Sequence, residues 1–410
     1  MGIMSLGSLS HHKNENTKKE AVLAAFAANA RQYGIVGALI AIIIIFEILT
    51  KGLLLQPNTI VQLIQQNAYV IILAVGMVMV IIATHIDLSV GSLVGFIGGV
   101  VALLMQDMHV NWFLSIIAGL LIGILIGVWQ GFWVAVVGIP AFITTLGGML
   151  IFRGLATTLI KASIPVNNTS FNAIAANYLP NIFGWWGPFD GLTIVVGILA
   201  ILAFIWSQFR KRANAIKVGL TPDPLLATYI KIAIAIIVIG ALTFEFASSG
   251  NATQGGIPII LVIVGVLILA YHYILTRSVF GRRVYAIGGN RRAALLSGIN
   301  TRKIDFILFV HMGFLSAVAA IAMLSRLSSA SAATGTSFEL DAIAACFVGG
   351  TAVTGGIGTV PGVVIGALVM GVINQGLSIM GVDSALIQTF KGLVLLLAVA
   401  VDIIPKLRKR

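Results

Sequence analysis

The chain has 410 residues, of which 59% are hydrophobic and only 9% charged, with a formal net charge of +12. A water-soluble domain carries about a quarter charged residues, so a soluble globular fold is excluded and lipid is the solvent for most of this surface. Nucleic-acid binding is excluded as the meaning of the basic excess, because the charge falls in clusters between or beside apolar runs, the pattern of loops that set membrane topology.

Residues 1–20 are polar, and no cleavable leader is read there because the apolar run begins late. The first basic cluster, Lys13, Lys18, Lys19 and Arg31, precedes the first span. Residues 21–33 read as an interfacial helix or as an extension of that span, so 1–33 is taken as a tail. The first clear span runs from about 34 to 49. Pro57 and Asn58 punctuate the start of the next, which continues to about Thr84. The segment HIDLSVGS at 85–92 then places an acid inside an apolar stretch, and further runs lie near 89–105, 112–137 and 141–160.

Residues 161–190 are the longest non-apolar stretch outside the tail, and Trp185 and Trp186 there suit a membrane–water interface. A hairpin of two apolar runs follows over 191–246, with Arg210, Lys211, Arg212 and Lys217 inside it. After another run near 257–275 comes the loop 276–303, with Arg277, Arg282, Arg283, Arg291, Arg292, Arg302 and Lys303. The last third carries runs near 304–324, 341–355, 360–380 and 385–402, and Lys406, Arg408, Lys409 and Arg410 close a basic tail over 404–410.

The pattern predicts an all-α, polytopic membrane protein of about 10–12 transmembrane helices occupying 34–403, at roughly 20 apolar residues per crossing. An even count with basic tails at both ends puts both termini in the cytoplasm. The segments 85–105 and 341–355 are glycine-rich and begin with an acid, so either is a candidate broken or re-entrant helix. Gly119, Gly123 and Gly127, and then Gly362 and Gly366, recur at four-residue spacing, which lets helices approach closely in lipid.

No GxxxxGK[ST] phosphate loop occurs, so the chain is read as binding no nucleotide and no cofactor of its own. The six histidines, His11, His12, His85, His109, His272 and His311, show no metal-ligand spacing, and the single Cys346 permits no intrachain disulfide. GxSxG is absent as well, and an intramembrane enzyme finds little support.

Within 276–303, Asn290 is a good N-cap and Gly298 a good C-terminal stop. Between them Arg291, Arg292, Ala293, Ala294, Leu295, Leu296 and Ser297 make a helix of about two turns. So short a helix is marginal in water and needs docking, either on its own chain or on a partner.

Four segments, HIDLSVGS at 85–92, IPAFITTLGGMLIFRG at 139–154, GRRVYAIGGN followed by AALLSGI at 281–299, and ELDAIAACFVGGT at 339–351, resemble the bacterial ABC-type sugar permeases, the membrane subunits of binding-protein-dependent monosaccharide importers. The resemblance covers about 60–400 and is nearest to the long xylose and multiple-monosaccharide permeases, whose extra hairpin corresponds to 191–246. Pro361, where Val or Ala is usual, and His85, before the IDLSVGS run, depart from the pattern.

The resemblance implies a plasma (inner) membrane location and a pathway built from two permease copies. It also implies a cytoplasmic tandem ATPase that holds ATP and Mg, and a soluble sugar-binding protein outside. The docking helix for the ATPase would be 290–298, with Ala293 and Ala294 permitting close approach and Leu296 supplying burial.

Charge at membrane depth is costly and marks function by default. Asp87 is a candidate for sugar contact or for an N-cap of a helix begun by Leu88, with Ser89 beside it. Arg153 is expected to pair with an acid on a neighbouring helix or to line a polar pathway. Glu339 and Asp341 point to different helix faces, and one is expected to pair with Arg326. Glu47, Glu245 and Lys391 are placed near span ends, where the lysine can snorkel. Asn67, Gln130, Thr144, Thr145 and Asn374 suit a weakly polar lining, or equally helix–helix hydrogen bonds. The competing reading is an ion-coupled secondary transporter with Asp87 as the titrating acid.

Overall fold

The computed structural model describes residues 30–220, 222, 224–250 and 255–407, apart from the side chains of 30–33 and 401–407. The N-terminal tail, most of the 21–33 segment and residues Arg408, Lys409 and Arg410 lie outside the described residues.

The elements in order are α1 (Ala30–Leu49), α2 (Pro57–Ile82), α3 (Val90–Gln106), α4 (Trp112–Gly131) running into a π-helical turn (Phe132–Val137), α5 (Ala141–Leu159) and α6 (Thr169–Ala176). Then come α7 (Gly191–Lys217), α8 (Leu225–Ala247), α9 (Ile259–Arg277), α10 (Val279–Gly289), α11 (Arg291–Leu296), α12 (Thr301–Leu327), α13 (Phe338–Val348), α14 (Val360–Ile379) and α15 (Ser384–Leu407). Four two-residue strands complete the described chain as two antiparallel pairs, Ile164–Pro165 with Ser329–Ala330 and Trp185–Trp186 with Phe189–Asp190.

Among the described residues eight helices are long and apolar enough to cross a bilayer, and three apolar stretches, Gly34–Leu49, Val90–Gln106 and Ser384–Ala400, are shorter. Contacts divide the chain into two compact units. One includes 180–256, in which the hairpin of α7 and α8 closes where Gly197 faces Thr243 without room for a side chain. The other holds 38–179 and 257–410 and contains every candidate site residue.

The core of that larger unit is α2, buried continuously from Val70 to Ala83. A helix apolar on every side belongs in an interior, and α9, α12, α13 and α14 pack around this one. The glycine spacing of α4 works as read. A Cβ on Gly123 would stand 2.5 Å from the Gly313 carbonyl oxygen, and one on Gly127 would stand 2.5 Å from that of Phe309. Helices α4 and α12 therefore touch backbone to backbone, which maximises dispersion contact where lipid supplies no hydrophobic drive.

Both suspect segments are irregular. Helix α2 stops at Ile82, residues 85–89 are non-helical with Thr84 left-handed at φ 67°, and α3 resumes at Val90. Helix α13 has 11 residues and reaches only about 16 Å, half a hydrocarbon core. Its chain continues as the irregular segment 349–359, whose Gly356 N–H donates to the Ile82 carbonyl at 2.9 Å. Non-helical backbone survives at this depth because protein, not lipid, surrounds it.

Candidate functional site

The first site lies at the end of the larger unit that carries α10 and α11. Asn290 caps α11, its Oδ1 accepting from the Ala293 N–H at 3.0 Å, and Gly298 leaves the helix at φ +80°. The helix docks on its own chain through Ala294, which is buried, while Ala293, Leu295 and Ser297 are exposed and Leu296 is 84% exposed. The small residue that meets the body is therefore Ala294 alone, and the leucines face away. Arg292 is exposed with them.

Arg291 anchors the helix through both carboxylate oxygens of Asp305, in the first turns of α12. The same carboxylate meets His85 Nε2 at 3.1 Å. One buried acid thus ties the stub to the break between α2 and α3. Helix α10 is fixed beside it. Tyr285 donates to the Gly358 carbonyl at 2.6 Å, and burial pushes its phenol up from the usual tyrosine range. Gly288 lies so close to the Ile82 carbonyl that a Cβ there would stand 1.8 Å from the oxygen. A cleft of about 580 Å³ opens here, walled by His85, Gly138, Phe142, Arg291, Arg302 and Asp305. Asp305 carried no local sequence signal: it lies just past the first turn of α12, and nothing nearby in the chain marks its partners.

The second group sits in the break itself. Asp87 does not cap a helix begun by Leu88; α3 starts at Val90, and Asp87 Oδ1 accepts from the Ser89 N–H at 2.8 Å and the Ser89 hydroxyl at 2.6 Å. This is the local carboxylate-to-backbone turn that aspartate favours. Gln130 donates to the Ser89 hydroxyl at 2.7 Å, and Thr145 donates to the Ala141 carbonyl at 2.9 Å and the Ile86 carbonyl at 3.3 Å. Asp87, Ser89, Gln130 and Thr145 are all fully buried. Among the described residues Asp87 Oδ2, Gln130 Oε1 and Thr144 Oγ1 find no partner.

The third group surrounds the start of α13. Arg153 forms no salt bridge among the described residues: its Nη1 donates to the carbonyls of Ala332 (3.1 Å) and Thr334 (3.0 Å), pinning the loop that leads into α13. Glu339 abuts the first turn of α3, where a Cβ on Gly91 would stand 2.2 Å from its Oε2. Asp341 does not pair with Arg326. It accepts from Lys391 at 2.8 Å and from the Tyr69 hydroxyl at 3.0 Å. Lys391 does not snorkel, because the buried acid holds it inside with its side chain 19% exposed.

The fourth is a cavity of about 240 Å³ between α2, α12 and α14, whose polar wall includes Gln66, Asn67, Tyr69, Arg326, Asn374 and Gln375. Asn67 and Asn374, singled out in the sequence, meet here. Asn67 Nδ2 donates to the Ala367 carbonyl at 2.6 Å, so it also serves as a helix–helix bond. Gln66 and Gln375 were missed, although each neighbours a flagged asparagine in an otherwise apolar run.

A multi-helix membrane body with interior helix breaks and a capped stub at one end defines a membrane transport component. Residues 59–399 match the family described as branched-chain amino acid transport system / permease component, and the chain belongs to it. It is 38% identical to the xylose transport system permease protein XylH of Escherichia coli (strain K12) over 384 residues, 93% of each chain. It is 36% identical to the protein of that name from Haemophilus influenzae over 380 residues, 92% of this chain and 97% of the relative. Against the ribose import permease protein RbsC of Escherichia coli (strain K12) the identity is 35% over 370 residues, 89% of this chain and 92% of the relative. No solved structure matches the chain significantly. The chain is a multi-pass membrane permease subunit and is not itself the ATPase of its system.

Proposed function

We propose that this permease forms the translocation pathway of an ATP-driven importer for a monosaccharide of the xylose, ribose, galactose or arabinose kind, and that α11 is the seat of its ATPase. The names of the relatives support the sugar. Residues 34–403 form the membrane domain and 276–303 its docking loop. A second copy of the chain completes the pathway, a tandem ATPase holds ATP and Mg, and a soluble binding protein delivers the sugar outside. The basic residues of 276–303 support a cytoplasmic α11, and the reading takes the protein as a plasma-membrane one with both termini on that same side.

The observation that carries this reading is the aspect of α11. Its inner face is locked by Ala294 and by Arg291 on Asp305, while Leu295 and Leu296 stand 59% and 84% exposed on a six-residue helix. A rigidly held apolar tip with Arg292 beside it is shaped for a soluble partner; lipid would not suit its polar surroundings. Closure of an ATPase seated there would bias two arrangements of the bundle. Leu296→Asp tests it: membrane insertion and thermal stability stay those of the parent, and co-purification of the ATPase subunit is lost. Undiminished co-purification, or sugar uptake into vesicles that persists without nucleotide, refutes the reading.

A further inference from the structure

We propose that the cavity walled by Gln66, Asn67, Arg326, Asn374 and Gln375 is a monosaccharide-binding site at the end of the pathway remote from α11. The proposal rests on the sugar-import reading above and adds where the sugar is held.

Position comes first. Helix α12 begins at Thr301, just after the stub, and Arg326 lies in its last turn. Twenty-five residues of helix separate them by about 38 Å, so the cavity and the stub occupy opposite ends of one helix. Gln66 and Asn67 lie in the first half of α2, whose far end meets α10, and Asn374 and Gln375 lie near the C-terminus of α14. With α11 in the cytoplasm, this cavity is on the side from which a binding protein delivers.

Its chemistry comes second. The described volume of about 240 Å³ falls below the roughly 300–1,000 Å³ of sites for drug-sized ligands, so a smaller guest is indicated. Four side-chain amides and a guanidinium offer both donors and acceptors, which is what hydroxyls that both give and take hydrogen bonds require. Two groups are unspent. Gln375 is 7% exposed, and its Oε1 has no partner among the described residues. The half-buried Arg326 lines the same cavity and makes no hydrogen bond or ion pair with the described residues. The Tyr69 ring forms part of the wall, its hydroxyl engaged by Asp341 and its ring stacked on Phe338.

An amino acid, the other class of guest the family description raises, fits less well. Its ammonium is best matched by a carboxylate, and among the described residues no Asp or Glu lines this cavity. A neutral polyol makes no such demand.

The test uses the whole importer, permease with ATPase and binding protein, in proteoliposomes. Arg326→Gln and Gln375→Leu remove the unspent groups, and Arg326→Lys is the conservative control. Ser378→Trp, an exposed position on the rim, plugs the mouth without altering the buried wall. Uptake of D-xylose, D-ribose and L-leucine is measured beside co-purification of the ATPase. Uptake of the transported pentose is expected to fall about tenfold or more, the loss of a charge-assisted hydrogen bond. The xylose-to-ribose preference is expected to shift, Arg326→Lys to recover part of the rate, and co-purification to stay intact. Uptake by Ser378→Trp and Arg326→Gln within about twofold of the parent, with the pentose preference unchanged, overturns the site whatever happens to Gln375→Leu. A parent that carries L-leucine and neither pentose refutes the sugar reading itself, separately from the location of the site.

Discussion

Arg291→Gln is the most informative single change at the docking end. Asp305 is 2% exposed in its side chain and is held from two directions, by His85 at 3.1 Å and by the Arg291 guanidinium across both oxygens. Breaking a buried ion pair from one side costs about 3–5 kcal/mol, because a charge is left buried and unmatched. Arg291 is 43% exposed, so water already screens its half of the pair, and a loss of about 2 kcal/mol is the appropriate figure here.

That loss falls on a helix too short to stand alone, which keeps only Ala294 as an anchor to the body. The assay is hydrogen exchange over 290–298. The amides of Ala294, Ser297 and Gly298 donate to the carbonyls of Asn290, Ala293 and Leu295, and 2 kcal/mol lowers their protection about thirtyfold. Asp305→Asn added to Arg291→Gln removes the stranded charge and is expected to restore about 1–2 kcal/mol relative to the sum of the single changes. Exchange unaltered by Arg291→Gln, or strictly additive single changes, refutes the view that this carboxylate holds the stub.

Ala294→Asp is expected to act differently from Leu296→Asp. Ala294 is 5% exposed within its own chain, so a carboxylate there lowers the permease's own melting temperature, at a cost of about 1–3 kcal/mol or more, before any partner is involved. Gly127→Leu drives a side chain into the Phe309 carbonyl and the Val310 backbone and is expected to cost at least about 1–3 kcal/mol of stability; thermal unfolding in detergent checks it, and an unchanged midpoint contradicts backbone contact between α4 and α12. Lys391→Met leaves Asp341 with Tyr69 alone and is expected to destabilise by about 3 kcal/mol, while the further change Asp341→Asn recovers most of it. A single and a double variant of equal stability would show that the pair is idle.

Much of the docking stub was legible in the chain, because its signals are local. Asn290 and Gly298 act on backbone groups within a few residues of themselves, and the structure uses both. Its aspect was not legible: six consecutive residues do not reveal which alanine meets the body, and only packing showed Ala294 inward and Leu296 outward. The helix breaks were legible for a similar reason, since an acid and clustered glycines contradict an unbroken span wherever they fold.

Pairing was the part that sequence could not settle. Arg153 and Lys391 both seek an oxygen in a medium without water, but charge alone does not say which oxygen lies within reach. Arg153 found two carbonyls about 180 residues away in the chain, and Lys391 found Asp341 across 50.

Composition by itself determined that the chain is solvated by lipid, and apolar runs of about 20 residues determined that it is helical, because a helix of that length satisfies its backbone polar groups within each segment. Glycine spacing by itself determined that α4 would approach a neighbour closely. Which neighbour, which carboxylate holds α11, and which amides and guanidinium close around one cavity were decided only in three dimensions. Those contacts join residues far apart in the chain, and in lipid they are selected by the fit and hydrogen bonding of whole helices against one another.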